Sequence, residues 1–283
     1  MSFSIVHVSD PHFGEVADLH KVSAVQNLVP DLEPNVTVIS GDLTLRARHG
    51  EFQAAALFVR ELGRTAPVFV IPGNHDVQWW WRPLIPFASQ AKYAKFRRHF
   101  GPVLTPTMDL TEAFIAGAQT AHGVAWGSLT PRLRDLAVKG HLRKKEAERV
   151  KALFAKARPG QARVLVLHHN VLRGELSERM GLAHWKRAHR HIVGMGADVV
   201  LCGHDHQEGS DELDGVVVSC AGTISQSSRG GRPSAFHRIY LEDDSIQVET
   251  YVWEPKQRLF RRSDVAVFAR RTVNEPEVAA GAV

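Results

Sequence analysis

The chain has 283 residues, 44% of them hydrophobic, with a formal net charge of +5 and two cysteines. That length suits one large α/β domain, two cysteines exclude a disulfide framework, and no apolar run approaches the roughly 18 residues of a membrane span. A basic balance favours anionic partners such as phosphate esters, nucleotides or acidic lipid headgroups, without choosing among them.

Met1-Ser2-Phe3-Ser4 has no basic region and no small-residue cleavage site, so it does not read as a signal peptide, and the cytoplasm is the expected compartment. A strand is predicted over Ile5–Ser9, running into Asp10-Pro11-His12. A helix follows near Leu19–Leu28, then a strand over Val36–Ser40 that ends on Gly41-Asp42. The next helix is predicted over Glu51–Leu62, and the strand Val68–Ile71 leads to Gly73-Asn74-His75-Asp76. Short β-branched runs suit strands buried on both faces. Their alternation with helices is the order of a layered α/β fold.

Aromatic and basic residues then interleave from Trp79 to Phe100, including Trp79-Trp80-Trp81. This stretch reads as a cap over a site, a membrane-surface contact, an oligomer (dimer) interface, or an irregular excursion packed on the main body. A helix is predicted over Arg143–Arg158, where Leu142, Val150, Leu153 and Phe154 form an apolar stripe. Strands over Val164–Leu167, Val199–Cys202 and Val216–Cys220 follow. The first ends on His168-His169 and the second on Gly203-His204-Asp205-His206. Phe236–Leu241 and Ile246–Val252 flank an acidic turn as a hairpin, and Leu259–Phe268 is a further extended segment. Antiparallel strands this late suggest a second sheet beside the first. Residues 1–273 are expected to form one domain, with a disordered tail over 274–283. Cys202 and Cys220 are expected to be buried free thiols. His7, His122, His184, His189 and His191 lack a motif context and are expected to be structural or surface residues.

Any one of the five polar motifs alone is weak, because an aspartate after glycine is usually a turn or helix cap. Their joint occurrence is different. Each sits at the C-terminal end of an apolar run, the edge where open α/β sheets form ligand clefts.

The series Asp10-Pro11-His12, Gly41-Asp42, Gly73-Asn74-His75-Asp76, His168-His169 and Gly203-His204-Asp205-His206 resembles the calcineurin-like metallophosphoesterase family, from about Phe3 to about Phe268. Gly41-Asp42-Leu43-Thr44 with Arg46-Ala47-Arg48, and Ala221-Gly222-Thr223 with Ser225, Arg229-Gly230 and Pro233-Ser234-Ala235-Phe236, resemble a bacterial branch related to class III cyclic-nucleotide phosphodiesterases. The resemblance implies a four-layer αββα sandwich of two packed mixed sheets flanked by helices. It also implies two divalent metal ions about 3.5–4 Å apart. Asp10, His12 and His206 would hold the first, Asn74, His168 and His204 the second, and Asp42 would bridge them. Mixed oxygen and imidazole donors suit Mn, Fe or Zn better than Ca or a water-rich Mg. A bridging hydroxide is the implied nucleophile, and His75 the implied transition-state stabiliser or general acid. Asp76 is expected to orient His75 or to start a helix. The family often has His-His-Pro at the fourth motif, with the first histidine as ligand. Here Asn170 replaces the proline, so His169 remains an alternative to the preferred His168.

Arg46, Arg48, His169 and Arg229 are the expected substrate contacts. The leading expectation is a phosphodiesterase for a small anionic diester, such as a cyclic nucleotide or a glycerophosphodiester. A membrane-surface pyrophosphohydrolase of a lipid-linked nucleotide sugar, contacting the bilayer through 79–100, is the alternative. A non-enzymatic metal-binding scaffold is a third reading. No separate nucleic-acid-binding module is visible.

Overall fold

The computed structural model describes residues 3–77, 91–122 and 139–271. Trp79–Trp81, the remainder of 79–90 and the tail 274–283 lie outside the described residues.

The first sheet starts with three parallel strands, β1 (Phe3–Val8), β2 (Val36–Ile39) and β3 (Val68–Val70). Helices α1 (Leu19–Leu32) and α2 (His49–Leu62) connect them. After α3 (Ala94–Phe100) the chain builds the second sheet. Its strands are β4 (Thr107–Asp109), β5 (Ala113–Gly117), β6 (Ala162–His169), β7 (Val199–Gly203), β8 (Gly209–Leu213) and β9 (Val216–Cys220), with α4 (Lys144–Phe154) and α5 (Trp185–Met195) between them. The order across that sheet is β4-β5-β6-β7-β9-β8. The chain then returns to the first sheet as β10 (Ala235–Leu241), β11 (Ser245–Glu254) and β12 (Leu259–Ala269), giving β12-β11-β10-β1-β2-β3. The late antiparallel strands therefore extend the first sheet, and the second sheet comes from the middle of the chain.

Three apolar cores mark three interfaces between four layers. Ile5, Val38, Phe69, Val164, Leu201 and Ile239 meet between the two sheets. Val6, Val8, Val25, Phe52 and Phe58 pack α1 and α2 on the outer face of the first sheet. Leu165, Val200, Val150 and Ile192 pack α4 and α5 on the outer face of the second. Alternate residues of β1, Ile5 against Val6 and Val8, thus face opposite cores, as the pleat requires. The fold is the αββα sandwich expected.

Helix α1 runs past its predicted end and includes Pro30 in its last turn, and Glu33 closes it in a left-handed conformation. The described part of the aromatic-basic stretch packs on the body. Phe96 is buried, and the His99 ring stacks on Phe52 at 5.7 Å. Cys202 and Cys220 are free, buried partners in the β7–β9 register. Among the described residues, no helix is long and apolar enough to cross a membrane.

A polar cluster interrupts the inter-sheet core. His7 Nδ1 lies 3.0 Å from Ser219 Oγ, and His7 Nε2 lies 3.0 Å from Ser40 Oγ. Ser219 Oγ in turn lies 2.8 Å from His237 Nδ1, and the buried His237 Nε2 has no hydrogen-bond partner. Burial, with the His237 charge added for His7, lowers both imidazoles, and His237 falls to about 4. The folded protein therefore refuses protons that the unfolded chain accepts below about pH 6.5. Stability is full above that value and declines as pH falls toward the folded pKa. His237 should remove on the order of 1 kcal/mol between pH 7.5 and 5.5, and His7 acts in the same direction. Urea unfolding of metal-free protein at the two pH values tests this. His237→Gln should reduce the difference by about one such increment. A wild-type difference unchanged by the substitution would show that His237 takes up protons alike in the native and unfolded states.

Candidate metal centre

All five motifs emerge from parallel strands at their C-terminal ends, three in the first sheet and two in the second. Stacking the two sheets brings these ends together. Asp10, His12, Asp42, Asn74 and His168 are each at most 2% exposed.

The motif glycines exist to allow this approach. Gly41 has φ +107, and a Cβ there would lie 2.7 Å from His168 Nδ1 and 2.8 Å from Gly73 N. A Cβ on Gly73 would fall on Asp42 Oδ1 and the Asp42 backbone nitrogen. One on Gly203 would lie 2.5 Å from Asp10 Oδ2. Beside these glycines, Asp10, His12, Asp42, His204 and His206 all have left-handed backbones, with φ between 45° and 75°. Each such residue costs roughly 1–3 kcal/mol where the surroundings impose it.

The side chains converge in two groups. Asp10 Oδ2 is saturated by Ser9 Oγ at 2.5 Å and by the His204 N–H at 2.9 Å. Asp10 Oδ1 is buried with no hydrogen bond, 3.5 Å from His12 Nε2 and 3.3 Å from His206 Nε2. The two Nε2 atoms are 2.9 Å apart. In the second group, His168 Nε2 lies 3.2 Å from Asp42 Oδ2, 3.0 Å from Asn74 Oδ1 and 3.3 Å from His204 Nδ1. Asn74 Oδ1 is also 3.0 Å from His204 Nδ1. Asp42 Oδ2 stands 3.8 Å from His12 Nε2, so it faces both groups. His12, Asp42 and His75 form a third set of mutually close donor atoms.

Backbone carbonyls set which nitrogen each ring presents. His168 Nδ1 donates to Ser40 O at 2.9 Å, His206 Nδ1 to Ser227 O at 2.7 Å, and His75 Nδ1 to Leu45 O at 2.7 Å. The neutral rings of His168 and His206 therefore aim Nε2 lone pairs inward. Lone pairs facing carboxylate and amide oxygens at about 3 Å repel unless positive charge sits among them.

The charge state says the same. Burial opposes ionising His168, yet the Asp42 carboxylate outweighs it and lifts the imidazole to about 9. Burial likewise opposes a charge on His206, and Asp10 overrides it upward. Burial raises Asp10 and Asp42, but the surrounding imidazoles hold both well below the usual carboxylate range. Burial and the His168 charge push His204 down to about 3. A centre that draws in protons against burial fits divalent cations, which supply that charge without them.

The remaining expected residues fall into place differently. Asp76 is a correction. Its carboxylate does not orient His75; that ring is set by Leu45 O. Asp76 instead accepts from Leu43 N (3.1 Å), Thr44 N (2.9 Å), Thr44 Oγ1 (2.8 Å) and Gly73 N (2.9 Å), tying the second motif loop to the third. Burial and the nearby Asp42 charge raise it to about 6. Arg46 and Arg48 both reach Glu15 Oε1 at 3.3 Å on the exposed surface. Arg229 pairs with Asp205 Oδ1 at 3.4 Å. His169 is buried with Nδ1 2.8 Å from Thr120 Oγ1, and its ring stands 4.5 Å from that of His204. Between the two adjacent histidines, His168 is the one whose nitrogen enters a donor cluster among the described residues. The carbonyls of Ser40, Leu45 and Ser227 had no signal in the sequence, because every residue carries one.

A family model for calcineurin-like phosphoesterases matches residues 3–208. No curated protein matches the chain in sequence. A structure of PhoD superposes with TM-score 0.68 at 11% identity, covering 99% of this chain and 73% of that one. A dimetal phosphatase from Danio rerio gives 0.66 at 11%, covering 95% and 99%. The purple acid phosphatase PPD1 from yellow lupin (Lupinus luteus) seeds gives 0.68 at 12%, covering 95% of this chain but only 54% of that one. At these identities the likeness is one of fold.

Proposed function

This chain belongs to the calcineurin-like phosphoesterase family, and on that premise we propose that it is a two-metal phosphodiesterase acting on a small anionic diester, such as a cyclic nucleotide or a glycerophosphodiester. The observation that carries the reading is Asp42 facing two groups of buried donors at once. Asp10, His12 and His206 would hold one divalent ion and Asn74, His168 and His204 the other, with Asp42 facing both groups. Mn and Fe are the preferred ions for this donor set, with Zn next. When bound, two such ions offset charge on the phosphoryl oxygens and make a water acidic enough to attack at neutral pH.

The chain supplies the rest. The Asp42 carboxylate, facing both donor groups, would offset the mutual repulsion of two cations held there. His75, with Nδ1 committed to Leu45 O, would present Nε2 to the departing alcohol oxygen as general acid. Asp76 is a positioning residue, holding Gly73 and Thr44 on either side of Asp42 and His75. Arg46, Arg48 and Arg229 add positive character to the approach of an anionic diester, and buried His169 stands beside the His204 ring.

The test is hydrolysis of bis-p-nitrophenyl phosphate with Mn2+, then of cyclic nucleotides, glycerophosphodiesters and nucleotide-sugar pyrophosphates. Diester hydrolysis should disappear on chelation and return with Mn2+. His75→Asn should lower kcat by about 10²–10⁴-fold with little change in KM. A wild-type protein inert toward every substrate with every metal would sink the proposal.

A further inference from the structure

Residues 223–227 lie beyond the stretch matched by the family model, 3–208. They begin the connection by which the chain leaves β9 in the second sheet for β10 in the first. Thr223 forms an isolated parallel bridge with Ser9, so this connection passes beside the Asp10 arm.

Three hydroxyls line up along it. Thr223 Oγ1 donates to the Asp10 carbonyl at 2.6 Å. Its single hydrogen is then used, so Ser225 Oγ, 2.8 Å away, must donate to it. By the same reasoning Ser227 Oγ, 2.6 Å from Ser225 Oγ, donates to Ser225. The backbone N–H groups of Ser225 and Ser227 support the row, donating to Thr223 Oγ1 at 3.0 Å and Ser225 Oγ at 3.2 Å. Its far end, the Ser227 carbonyl, receives His206 Nδ1–H at 2.7 Å. Thr223 and Ser225 are fully buried. Lys21 of α1 latches the middle from outside, its Nζ donating to Ser225 O at 2.8 Å.

Short hydroxyl-to-backbone bonds of this kind also make ordinary local turns. What a turn does not require is that the two ends reach two members of one donor group carried by different sheets. Asp10 follows β1, His206 follows β7, and Asp10 Oδ1 and His206 Nε2 are 3.3 Å apart. Fixing the Asp10 carbonyl and the His206 ring fixes that separation and keeps the His206 Nε2 lone pair inward. The other donor group uses a separate outer partner, Ser40 O on His168.

We infer that Thr223, Ser225 and Ser227 are positioning residues that set how tightly the Asp10–His12–His206 position holds its divalent cation, independently of the other position. The inference rests on the two-metal reading. Outer partners of metal-binding histidines typically change metal affinity about 10–100-fold.

Equilibrium dialysis of the full chain against Mn2+ tests it, with melting of metal-free protein alongside. Wild type should hold two Mn2+ per chain. Thr223→Val, nearly isosteric but without the hydroxyl, should weaken one of the two by about 10–100-fold and leave the other unchanged. Thr223→Ser should restore it. Thr223→Val, which leaves the buried Asp10 carbonyl and the Ser225 N–H without this partner, should also melt below Thr223→Ser in the metal-free form, so the selectivity for one of the two positions is the readout. If Thr223→Val does not fold, Ser227→Ala, a less buried member of the same row, should give the same selective weakening. Two unchanged affinities, or both weakened together with a lower metal-free melting temperature, would overturn the inference. Wild type holding fewer than two Mn2+ would overturn the two-metal reading itself, and the inference with it.

Discussion

Asp42→Asn should leave a folded protein whose diester hydrolysis is at least ~10²–10³-fold slower, the loss that follows removal of one preorganised electrostatic partner. The residue is 1% exposed and faces His168 at 3.2 Å and His12 at 3.8 Å. Asparagine keeps the shape and an oxygen for the His75 N–H, which Asp42 Oδ1 accepts at 2.7 Å. It removes the one charge that both donor groups face. The metal-free protein carries an independent signature. Asp42 is what overrides burial to raise His168 to about 9. In the variant the imidazole of His168 should therefore titrate lower, which NMR of the ring resonances measures. A raised His168 surviving in Asp42→Asn would place the source of that shift elsewhere. Unaltered hydrolysis would remove Asp42 from the mechanism.

Gly73→Ala should be as damaging to activity, and damaging to folding as well. The added methyl would land on Asp42 backbone and carboxylate atoms rather than on the flexible end of a side chain. Overpacking of this kind typically costs about 1–3 kcal/mol, occasionally more. Here any relief must move Asp42 or break the Gly73 N–H bond to Asp76. Loss of Mn2+ binding should accompany a lower denaturation midpoint. Gly50→Ala is the contrast. Nothing lies within 4 Å of its hypothetical Cβ, and it sits in the first turn of α2. That change should be neutral or stabilising by up to about 1 kcal/mol. Equal midpoints for Gly73→Ala and wild type would mean that the two motif loops are not in contact.

The site was legible because its residues sit where polarity changes abruptly. Ile5–Val8, Val36–Ile39 and Val199–Cys202 are buried, mostly β-branched runs, and each is followed within two residues by Asp10, Gly41 or Gly203. Strand β5, Ala113–Gly117, lacked that contrast, since small residues carry little strand preference. Helix α5 hides its buried stripe, Ala188, Ile192 and Met195, among arginines and histidines. The side of the sandwich taken by β10–β12 depends on the His7↔His237 register with β1, a contact across more than two hundred residues. Asp76 was misread for a related reason. Adjacency to His75 in the chain says nothing about direction, and the carboxylate turns back to Leu43, Thr44 and Gly73.

The left-handed backbones of Asp10, His12, Asp42, His204 and His206 narrow the evolutionary routes open to this centre. That region of conformational space admits asparagine, aspartate, histidine and above all glycine, and resists long or β-branched residues. Glutamate for Asp10 or Asp42 would keep the carboxylate and lose the fit. Mutational drift at these positions is therefore channelled toward asparagine and glycine. Glycine relaxes the backbone while discarding the donor, and asparagine in place of aspartate gives up the charge. A lineage released from selection for catalysis would keep this sandwich while these positions traded their donors for an easier backbone.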